Sequence, residues 1–356
     1  MPPSRPPSTI RTPGLGYGSG MAEFVSLEEV RAAAARLRGV AVRTPLVPFT
    51  GQTKARLPVL VKPESLQPTG AFKLRGAYNA VYAVTRDLDS CTLPDGVVAH
   101  SSGNHGFAVA YAARLLGISA AIVVPTNAPR VKTDAIESTG AELVRVEPTF
   151  AARIAATEEI ARVRGYHPVA PFDDRDVIAG QGTIGLEIAE DAKPQAVLVP
   201  VSGGGLISGI AVAVKSLLPD TRVIGVEPEL AADARDSLRT GIRVAWTAEQ
   251  TSRTKADALR VEQVGELTFP HIKEYVDDIV TVSEDEMLDA IRRLARQARL
   301  VAEPGGAAAV AAALYRDAAE LGVTAAADQP VVAVLSGGNV DPTLLTEILQ
   351  PESYTG

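Results

Sequence analysis

The chain alternates short, continuously apolar segments with longer segments of helical periodicity, and this alternation constrains its fold more than any other feature. Eight apolar segments predict β-strands at residues 59–62, 97–100, 121–124, 142–146, 196–200, 223–226, 279–282 and 331–335. Several are unbroken runs of Val, Ile and Ala, which is typical of strands that are buried on both faces. Strands that alternate with helices predict an α/β fold with an open, mostly parallel, twisted sheet.

Eight segments between these strands have helical spacing, and they predict helices at residues 72–85, 105–116, 130–139, 151–164, 178–192, 206–217, 284–299 and 306–319. Ahead of the first strand, Ser26 and Glu29 have the spacing of a capping box, in which each side chain accepts a hydrogen bond from the other residue's backbone N–H. This pair predicts the start of a further helix that ends near Arg38.

Length and composition exclude several classes of protein. A chain of 356 residues suggests two domains. The net charge of −7 argues against nucleic-acid or anionic-membrane partners, and no apolar run reaches the roughly 18–20 residues of a membrane-spanning helix. The single cysteine, Cys91, excludes an internal disulfide and fits a reducing, cytoplasmic location. Residues 1–20 are rich in Pro, Ser and Gly and predict a disordered tail.

In open parallel sheets, ligands bind where the carboxyl ends of strands lead into helices. The first unusual loop of this kind has the sequence Ser202-Gly203-Gly204-Gly205-Leu206. Its glycines let backbone N–H groups converge at the positive end of the next helix, which favours a phosphate-binding loop. An ordinary glycine-rich turn is the other interpretation. The spacing differs from the dinucleotide pattern G-x-G-x-x-G, so a single phosphate fits better than a pyrophosphate.

Two further loops follow predicted strands. The loop Ser101-Ser102-Gly103-Asn104-His105-Gly106 offers hydroxyls, an amide and helix N-terminal N–H groups, which suit a carboxylate, although a plain helix cap fits equally well. The loop after residue 335 places Ser336 beside two glycines, and a turn with a capping serine is its alternative interpretation.

Lys73 completes this set, because it lies in the segment "PTGAFKLRGA" at the head of a predicted helix. An amine, a phosphate loop, a carboxylate loop and a neutral hydroxyl are together what pyridoxal phosphate and an amino acid require. As a base, Lys73 needs a pKa below its usual value of about 10.4. Arg75 is close enough in sequence to lower that pKa, but a surface salt bridge is the interpretation that we favour for it.

The chain resembles the serine/threonine dehydratase and serine racemase family of fold-type II pyridoxal-phosphate enzymes, which share a fold with the tryptophan synthase β subunit. The resemblance runs from about residue 37 to residue 341 and depends on four segments in order: "KPESLQPTGAFKLRGA", "SSGNHG", "VSGGGLISG" and "LSGGNVD".

The resemblance implies a role for each motif residue. Lys73 would carry the cofactor, Phe72 would pack on its ring, and Asn104 would bind its 3′-oxygen. The backbone of Gly203, Gly204, Gly205 and Leu206 would hold the phosphate, and Ser336 would bind the ring nitrogen. Ser101, Ser102, Gly103, Asn104 and His105 would bind the substrate. Arg153 falls where racemase-like members have an arginine for the substrate carboxylate, although a solvated helix charge is an equal alternative.

The resemblance also implies a divalent cation, Mg²⁺ or Ca²⁺, bound by Glu227, the Ala231 carbonyl and Asp233 in the segment "EPELAAD". A solvated acidic turn is the alternative. A small domain at 95–172 would be inserted into a large cofactor-binding domain at 21–94 and 173–356. A homodimer would be the expected assembly.

The resemblance favours threonine/serine dehydratase activity, and two residues bear on this choice. Ser102 occupies the position of the second acid/base of racemases and favours a serine racemase or a 3-hydroxyaspartate dehydratase. Val261 stands where racemases have a substrate-facing serine and favours a threonine dehydratase. A cofactor-binding sensor without turnover and a nicotinamide oxidoreductase are alternatives from other classes.

Overall fold

The computed structural model describes residues 24–86, 94–128, 130–324 and 329–350, and its strands form two sheets. The strands of this part of the chain are β1 (Val47–Phe49), β2 (Val59–Pro63), β3 (Gly96–His100), β4 (Ser119–Pro125), β5 (Glu142–Val146), β6 (Tyr166–Pro168), β7 (Ala196–Pro200), β8 (Arg222–Pro228), β9 (Asp278–Val282) and β10 (Val331–Leu335). The predicted tail at 1–20 and Cys91 lie outside the described residues.

The helices of the described ranges are α1 (Leu27–Arg36), α2 (Lys73–Arg86), α3 (Asn104–Leu116), α4 (Arg130–Glu137), α5 (Phe150–Arg164), α6 (Arg175–Asp191), α7 (Gly205–Leu217), α8 (Asp233–Thr240), α9 (Ala248–Thr251), α10 (Thr268–Tyr275), α11 (Glu284–Arg293), α12 (Pro304–Tyr315) and α13 (Pro342–Leu349). The capping box predicted for Ser26 and Glu29 is confirmed, with both reciprocal hydrogen bonds present at the start of α1.

The larger sheet has the strand order β1-β2-β10-β7-β8-β9, and the smaller sheet has the order β5-β4-β3-β6. The pair β1–β2 is antiparallel, and the remaining strand pairs of both sheets are parallel. The predicted α/β fold with mostly parallel strands is therefore confirmed, and parallel pairing brings the carboxyl ends of neighbouring strands to one edge of each sheet.

The continuous apolar strands are buried on both faces, as their composition predicts. In β7, Ala196 and Leu198 belong to the apolar core that includes α12, whereas Val197 and Val199 belong to the core on the opposite face, which includes α7. In the smaller sheet, Val97 packs in a core with α2 and α3, and Val98 packs in the core that includes Ile160 of α5. Because α2 follows β2 of the larger sheet and shares a core with α3 and the smaller sheet, it joins the two sheets.

The structure adds elements that the sequence did not predict and shortens two predicted helices, of which the one predicted at 306–319 ends at Tyr315. Strands β1 and β6 have three residues each and lie at the edges of their sheets, where a short segment that contains proline gives little strand signal. The helix predicted at 284–299 ends at Arg293, and a π-helical segment, Leu294–Ala298, follows it. Among the described residues, no helix is both long and apolar enough to cross a membrane.

Candidate active site

The loop that carries Lys73 is held against the loop after β10 by backbone hydrogen bonds. The Phe72 N–H donates to the Ser336 carbonyl at 3.0 Å, and the Gly338 N–H donates to the Gly70 carbonyl at 2.8 Å. The first helical residue of α2 is Lys73. The pairing of these two loops therefore brings the lysine and the Ser336 segment to the same edge of the larger sheet.

The Lys73 side chain is half-buried and reaches the segment that precedes α6. Its Nζ donates a hydrogen bond to the Pro171 carbonyl at 2.5 Å and lies 5.1 Å from the centre of the Phe72 ring. Removal of this ammonium group from water lowers the pKa of Lys73 to about 8. A lysine with this pKa is a far better nucleophile and base at neutral pH than an exposed lysine.

The glycine loop after β7 packs closely against the residue next to Pro171. A side chain at Gly203 would overlap the Phe172 ring, and Gly204 has a φ of +94°, in the left-handed region that favours glycine. The Thr268 hydroxyl donates to the Gly203 carbonyl at 2.6 Å and fixes the loop from the other side. The segment that contains Pro171 and Phe172 therefore brings the glycine loop and Lys73 together.

The loop after β3 contacts the loop after β10 and the N-cap of α12 through Asn104, the first residue of α3. The Asn104 Nδ2 atom donates to Glu303 Oε1 at 2.6 Å, and its Oδ1 atom accepts from Asn339 Nδ2 at 2.8 Å. Asn339 also donates to the Thr69 carbonyl at 2.8 Å. The four sequence motifs therefore converge at one place between the two sheets.

The two histidines near this loop have different environments. His105 is buried, and its Nε2 atom lies 2.9 Å from the Val169 carbonyl. Burial, reinforced by the charge of Lys73, lowers the pKa of His105 to about 3, so the ring is neutral and serves a structural role at this contact. His100, at the end of β3, packs edge-to-face on Phe150, and burial and the charge of Arg153 lower its pKa.

Arg153, the predicted carboxylate ligand, lies on α5 next to this histidine. Its guanidinium group lies 5.6 Å from the centre of the Phe150 ring, and its Nε atom is buried without a hydrogen-bond partner among the described residues. The charge of Arg153 is therefore held close to the strand that leads into Ser101 and Ser102, both of which are half-buried.

Comparison with known proteins identifies this arrangement. A sequence model of a family described as pyridoxal-phosphate dependent enzyme matches residues 37–337. The chain belongs to this family. An L-threonine ammonia-lyase from Thermotoga maritima is 41% identical over 330 residues, which are 92% of this chain and 78% of the relative.

Solved structures of family members are also similar. The structure of a T.th. threonine deaminase has a TM-score of 0.79 and 42% identity, and the match covers 89% of this chain and 99% of that one. A maize serine racemase has a TM-score of 0.82 and 33% identity, with 91% of this chain and 97% of that one covered. The family resemblance inferred from the four motifs is thus confirmed.

The residues at this site fit pyridoxal phosphate. The glycine loop presents backbone to a position that side chains would fill, and it precedes the N-terminus of α7, where an anion is favoured. Ser202 begins this loop, and its Oγ atom is buried without a hydrogen-bond partner among the described residues, as a hydroxyl that faces an absent acceptor would be. Lys73 supplies the amine that a cofactor aldehyde requires.

Arg75 forms a salt bridge, but the expectation that it lies on the surface is wrong. Its guanidinium group is fully buried and binds Glu64 at 2.8 Å and Glu187 at 2.6 Å. Lys62, also buried, binds Glu187 at 2.5 Å. Because these carboxylates offset the charge of Arg75, desolvation rather than a cationic neighbour accounts for the lowered pKa of Lys73.

The predicted cation ligands Glu227, Ala231 and Asp233 are all buried near the start of α8. Glu227 accepts hydrogen bonds from the N–H groups of Ala234 and Arg235 at 3.1 and 2.8 Å. Burial and the nearby Asp233 raise the pKa of Glu227 well above its ordinary value, and burial raises the pKa of Asp233 to about 7.

The Asp233 Oδ2 atom is buried without a hydrogen-bond partner in the described part of the chain. A cation bound here would offset the charge of both carboxylates, and this unpartnered oxygen is the observation in its favour. Across the described ranges, no group of three or more His, Cys, Asp or Glu side chains could hold a metal ion. The predicted set has two carboxylates and a carbonyl, and it remains a prediction.

Sequence reasoning missed several residues at the site. Glu303 is buried at the N-cap of α12 and accepts from Asn104, and Thr268 holds the glycine loop. Phe172 packs on that loop. Asn339 lies in the segment "LSGGNVD", in which Ser336 alone was predicted to be a site residue. A cap position before Pro304 is the only local signal for Glu303, and neither Thr268 nor Phe172 stands out in the sequence.

Proposed function

We propose that this protein is a pyridoxal-phosphate-dependent threonine/serine dehydratase (ammonia-lyase). It removes water from a β-hydroxy amino acid, and the product is released as a 2-oxo acid and ammonia. The convergence of Lys73 with the glycine loop and Ser336 is the observation that carries this proposal. Similarity to a threonine ammonia-lyase and a threonine deaminase over most of the chain supports it.

When bound, the cofactor supplies an electron sink for the bonding electrons of the substrate's α-carbon. Lys73 would hold the cofactor, and its free amine would take the α-proton of the substrate, a role suited to its pKa of about 8. The backbone of Gly203, Gly204, Gly205 and Leu206 would hold the phosphate, and Phe72 would pack on the ring.

Ser336 and Asn104 orient the cofactor ring in this proposal. The Ser336 hydroxyl would donate to the ring nitrogen and leave it neutral, whereas a carboxylate at this position would keep it protonated. With Ser336 here, the cofactor would supply a weaker electron sink, which suits loss of the β-hydroxyl better than transamination. Asn104 would donate to the 3′-oxygen.

The substrate carboxylate is bound at the N-terminus of α3 by Ser101, Ser102, Gly103, Asn104 and His105, where hydroxyls and backbone N–H groups favour an anion. The His105 Nε2 atom is already paired with the Val169 carbonyl, and we assign this role to the backbone N–H of the residue. Arg153 lies beyond His100 and adds a positive charge at this end of the site.

A serine racemase or 3-hydroxyaspartate dehydratase is the second candidate. Ser102 favours it, because racemisation requires a second acid/base on the opposite face of the α-carbon. Similarity to a maize serine racemase at 33% identity also supports it.

A substrate panel separates these activities. Purified protein with added pyridoxal phosphate is given L-threonine, L-serine, D-serine and 3-hydroxyaspartate, and 2-oxo acid, ammonia and the chirality of remaining serine are measured. A dehydratase releases 2-oxobutanoate and ammonia from L-threonine, and Lys73→Ala abolishes this release. Formation of L-serine from D-serine, with little oxo acid from L-threonine, would favour the racemase. Bound cofactor without turnover of any substrate would favour a cofactor-binding sensor.

The assembly and the cation belong to the same proposal. A divalent cation, Mg²⁺ or Ca²⁺, is bound by Glu227, the Ala231 carbonyl and Asp233 and has a structural role.

The large domain comprises residues 21–94 and 173–356, and the small domain comprises residues 95–172, to which β3, β4, β5 and β6 belong. The protein acts in the cytoplasm as a homodimer.

A further inference from the structure

We propose that Asn339 is a positioning residue that fixes the amide of Asn104, so that a single N–H of Asn104 is left to donate to the 3′-oxygen of the cofactor. The inference rests on the proposed function, because it assigns a partner to that N–H. It concerns a residue that would not itself touch the cofactor or the substrate.

Three hydrogen bonds form a continuous chain across the site. Asn339 Nδ2 donates to the Thr69 carbonyl and to Asn104 Oδ1, both at 2.8 Å, and Asn104 Nδ2 donates to Glu303 Oε1 at 2.6 Å. The chain therefore runs from the lysine loop, through the loop after β10 and the start of α3, to the N-cap of α12. The lysine loop, the loop after β10 and the start of α3 all take part in it.

The Thr69 end of this chain fixes its direction. The Thr69 carbonyl has no proton to donate, so Asn339 must turn its NH₂ group towards Thr69. The same NH₂ group lies 2.8 Å from the Asn104 amide, which must therefore present its oxygen to Asn339 and its own NH₂ group to Glu303. With the amides in these orientations, both hydrogens of the Asn339 NH₂ group are donated, to Thr69 and to Asn104. The Asn104 NH₂ group donates one hydrogen to Glu303 and has one left for the cofactor.

The packing around Asn339 keeps its amide in place. Gly70 has a φ of +70°, and any side chain at this position would overlap the Asn339 amide. The residue therefore lies directly on the backbone of the lysine loop. Asn104 belongs to the helix that follows β3 of the smaller sheet, whereas Thr69, Asn339 and Glu303 belong to loops of the larger sheet. Asn339 thus orients a side chain presented from the other sheet.

Two substitutions at one position distinguish orientation from simple packing. Asn339→Asp keeps the shape of the side chain but has no hydrogen to donate, and it presents an acceptor to Asn104 Oδ1 and to the Thr69 carbonyl. It therefore favours an Asn104 amide turned by 180°, with its NH₂ group towards residue 339 and its oxygen towards Glu303. Asn339→Ala removes the contacts but opposes neither orientation. If the residue positions Asn104, the aspartate variant is the more damaging of the two for cofactor binding; if it only fills space, the alanine variant is.

The experiment titrates cofactor-stripped full-length protein with pyridoxal phosphate and follows visible absorbance, and it also records the thermal unfolding midpoint. Asn127→Asp is the matched control, because it makes the same chemical change in an exposed turn. We expect Asn339→Asp to raise the Kd for pyridoxal phosphate about tenfold or more, because the variant loses two hydrogen bonds and turns the Asn104 amide away from the 3′-oxygen, and to shift the visible band. We expect a smaller rise for Asn339→Ala and none for Asn127→Asp.

Two results would overturn the inference. The first is an Asn339→Asp variant whose Kd for pyridoxal phosphate and visible band equal those of the wild type. The second is a loss of affinity in Asn339→Asp and Asn339→Ala that is proportional to the loss of unfolding temperature in each. Wild-type protein that takes up no pyridoxal phosphate would overturn the proposed function and this inference with it. Uptake by the wild type with no effect of Asn339→Asp would overturn the inference alone.

Discussion

The amine of Lys73 is withdrawn from water at the start of α2, and this placement lets a lysine act near neutral pH. Desolvation lowers its pKa to about 8, so about one amine in ten is neutral at pH 7. An exposed lysine with a pKa of about 10.4 would be neutral in fewer than about one molecule in a thousand.

This shift predicts how pH controls cofactor uptake. Only the neutral amine attacks an aldehyde, and burial disfavours the ammonium form, so the rate of uptake by cofactor-free protein should rise with pH and level off above a pKa of about 8. Stopped-flow absorbance after mixing with pyridoxal phosphate measures this rate, and Lys73→Ala should show no visible band. A rate that continues to rise up to the ordinary lysine pKa of about 10.4 would contradict the prediction.

At the level of secondary-structure elements, the buried ion cluster of Lys62, Glu64, Arg75 and Glu187 joins β2, α2 and α6. Arg75→Met would leave two carboxylates without their main partner. We expect it to lower the free energy of unfolding by about 3–5 kcal/mol, because a broken buried pair leaves uncompensated charge. Denaturant unfolding followed by circular dichroism provides the measurement.

The control for this prediction is Arg162→Met, which breaks an exposed ion pair with Glu159. Exposed pairs contribute less than about 1 kcal/mol, so this variant should unfold nearly as the wild type does. Similar losses of unfolding free energy in both variants would contradict the prediction, because burial would then not explain the contribution of the cluster to stability.

The glycine loop between β7 and α7 gives a second prediction at this scale. A Cβ at Gly204 would lie 2.8 Å from Thr268 Oγ1, and its φ of +94° already disfavours any other residue. Gly204→Ala should displace the loop and raise the Kd for pyridoxal phosphate about tenfold or more, since a lost buried contact costs about 1–3 kcal/mol. Gly140→Ala is the control, with a φ of +86° and open space around its Cβ. Equal effects on Kd in both variants would contradict this account.

The elements that sequence could predict were those with a strong pattern of their own. Continuous apolar runs identified β4 and β7, and the capping box identified α1, because in each case local residues determine the structure. Short edge strands such as β1 and β6 were missed, since their pairing depends on a neighbouring strand rather than on their own composition. The site loops were predictable from four motifs, but Arg75 was placed wrongly because burial depends on distant partners.

On the scale of the whole molecule, the site forms where loops from two separate sheets meet. Lys73, Ser336 and the glycine loop come from the larger sheet, and the loop at residues 101–106 comes from the smaller one. Glu303 and Thr268 complete the site from distant parts of the chain, and sequence alone gave no reason to place them there. Such long-range partners become visible only once the sheets are assembled.

The most direct test of the account is to find which lysine carries the cofactor. Protein loaded with pyridoxal phosphate is reduced with borohydride, digested and mapped by mass spectrometry. The account predicts that the cofactor mass lies on Lys73, the half-buried lysine that meets the other site loops. Labelling of another lysine, such as the fully buried Lys62, or no labelled peptide at all, would contradict it.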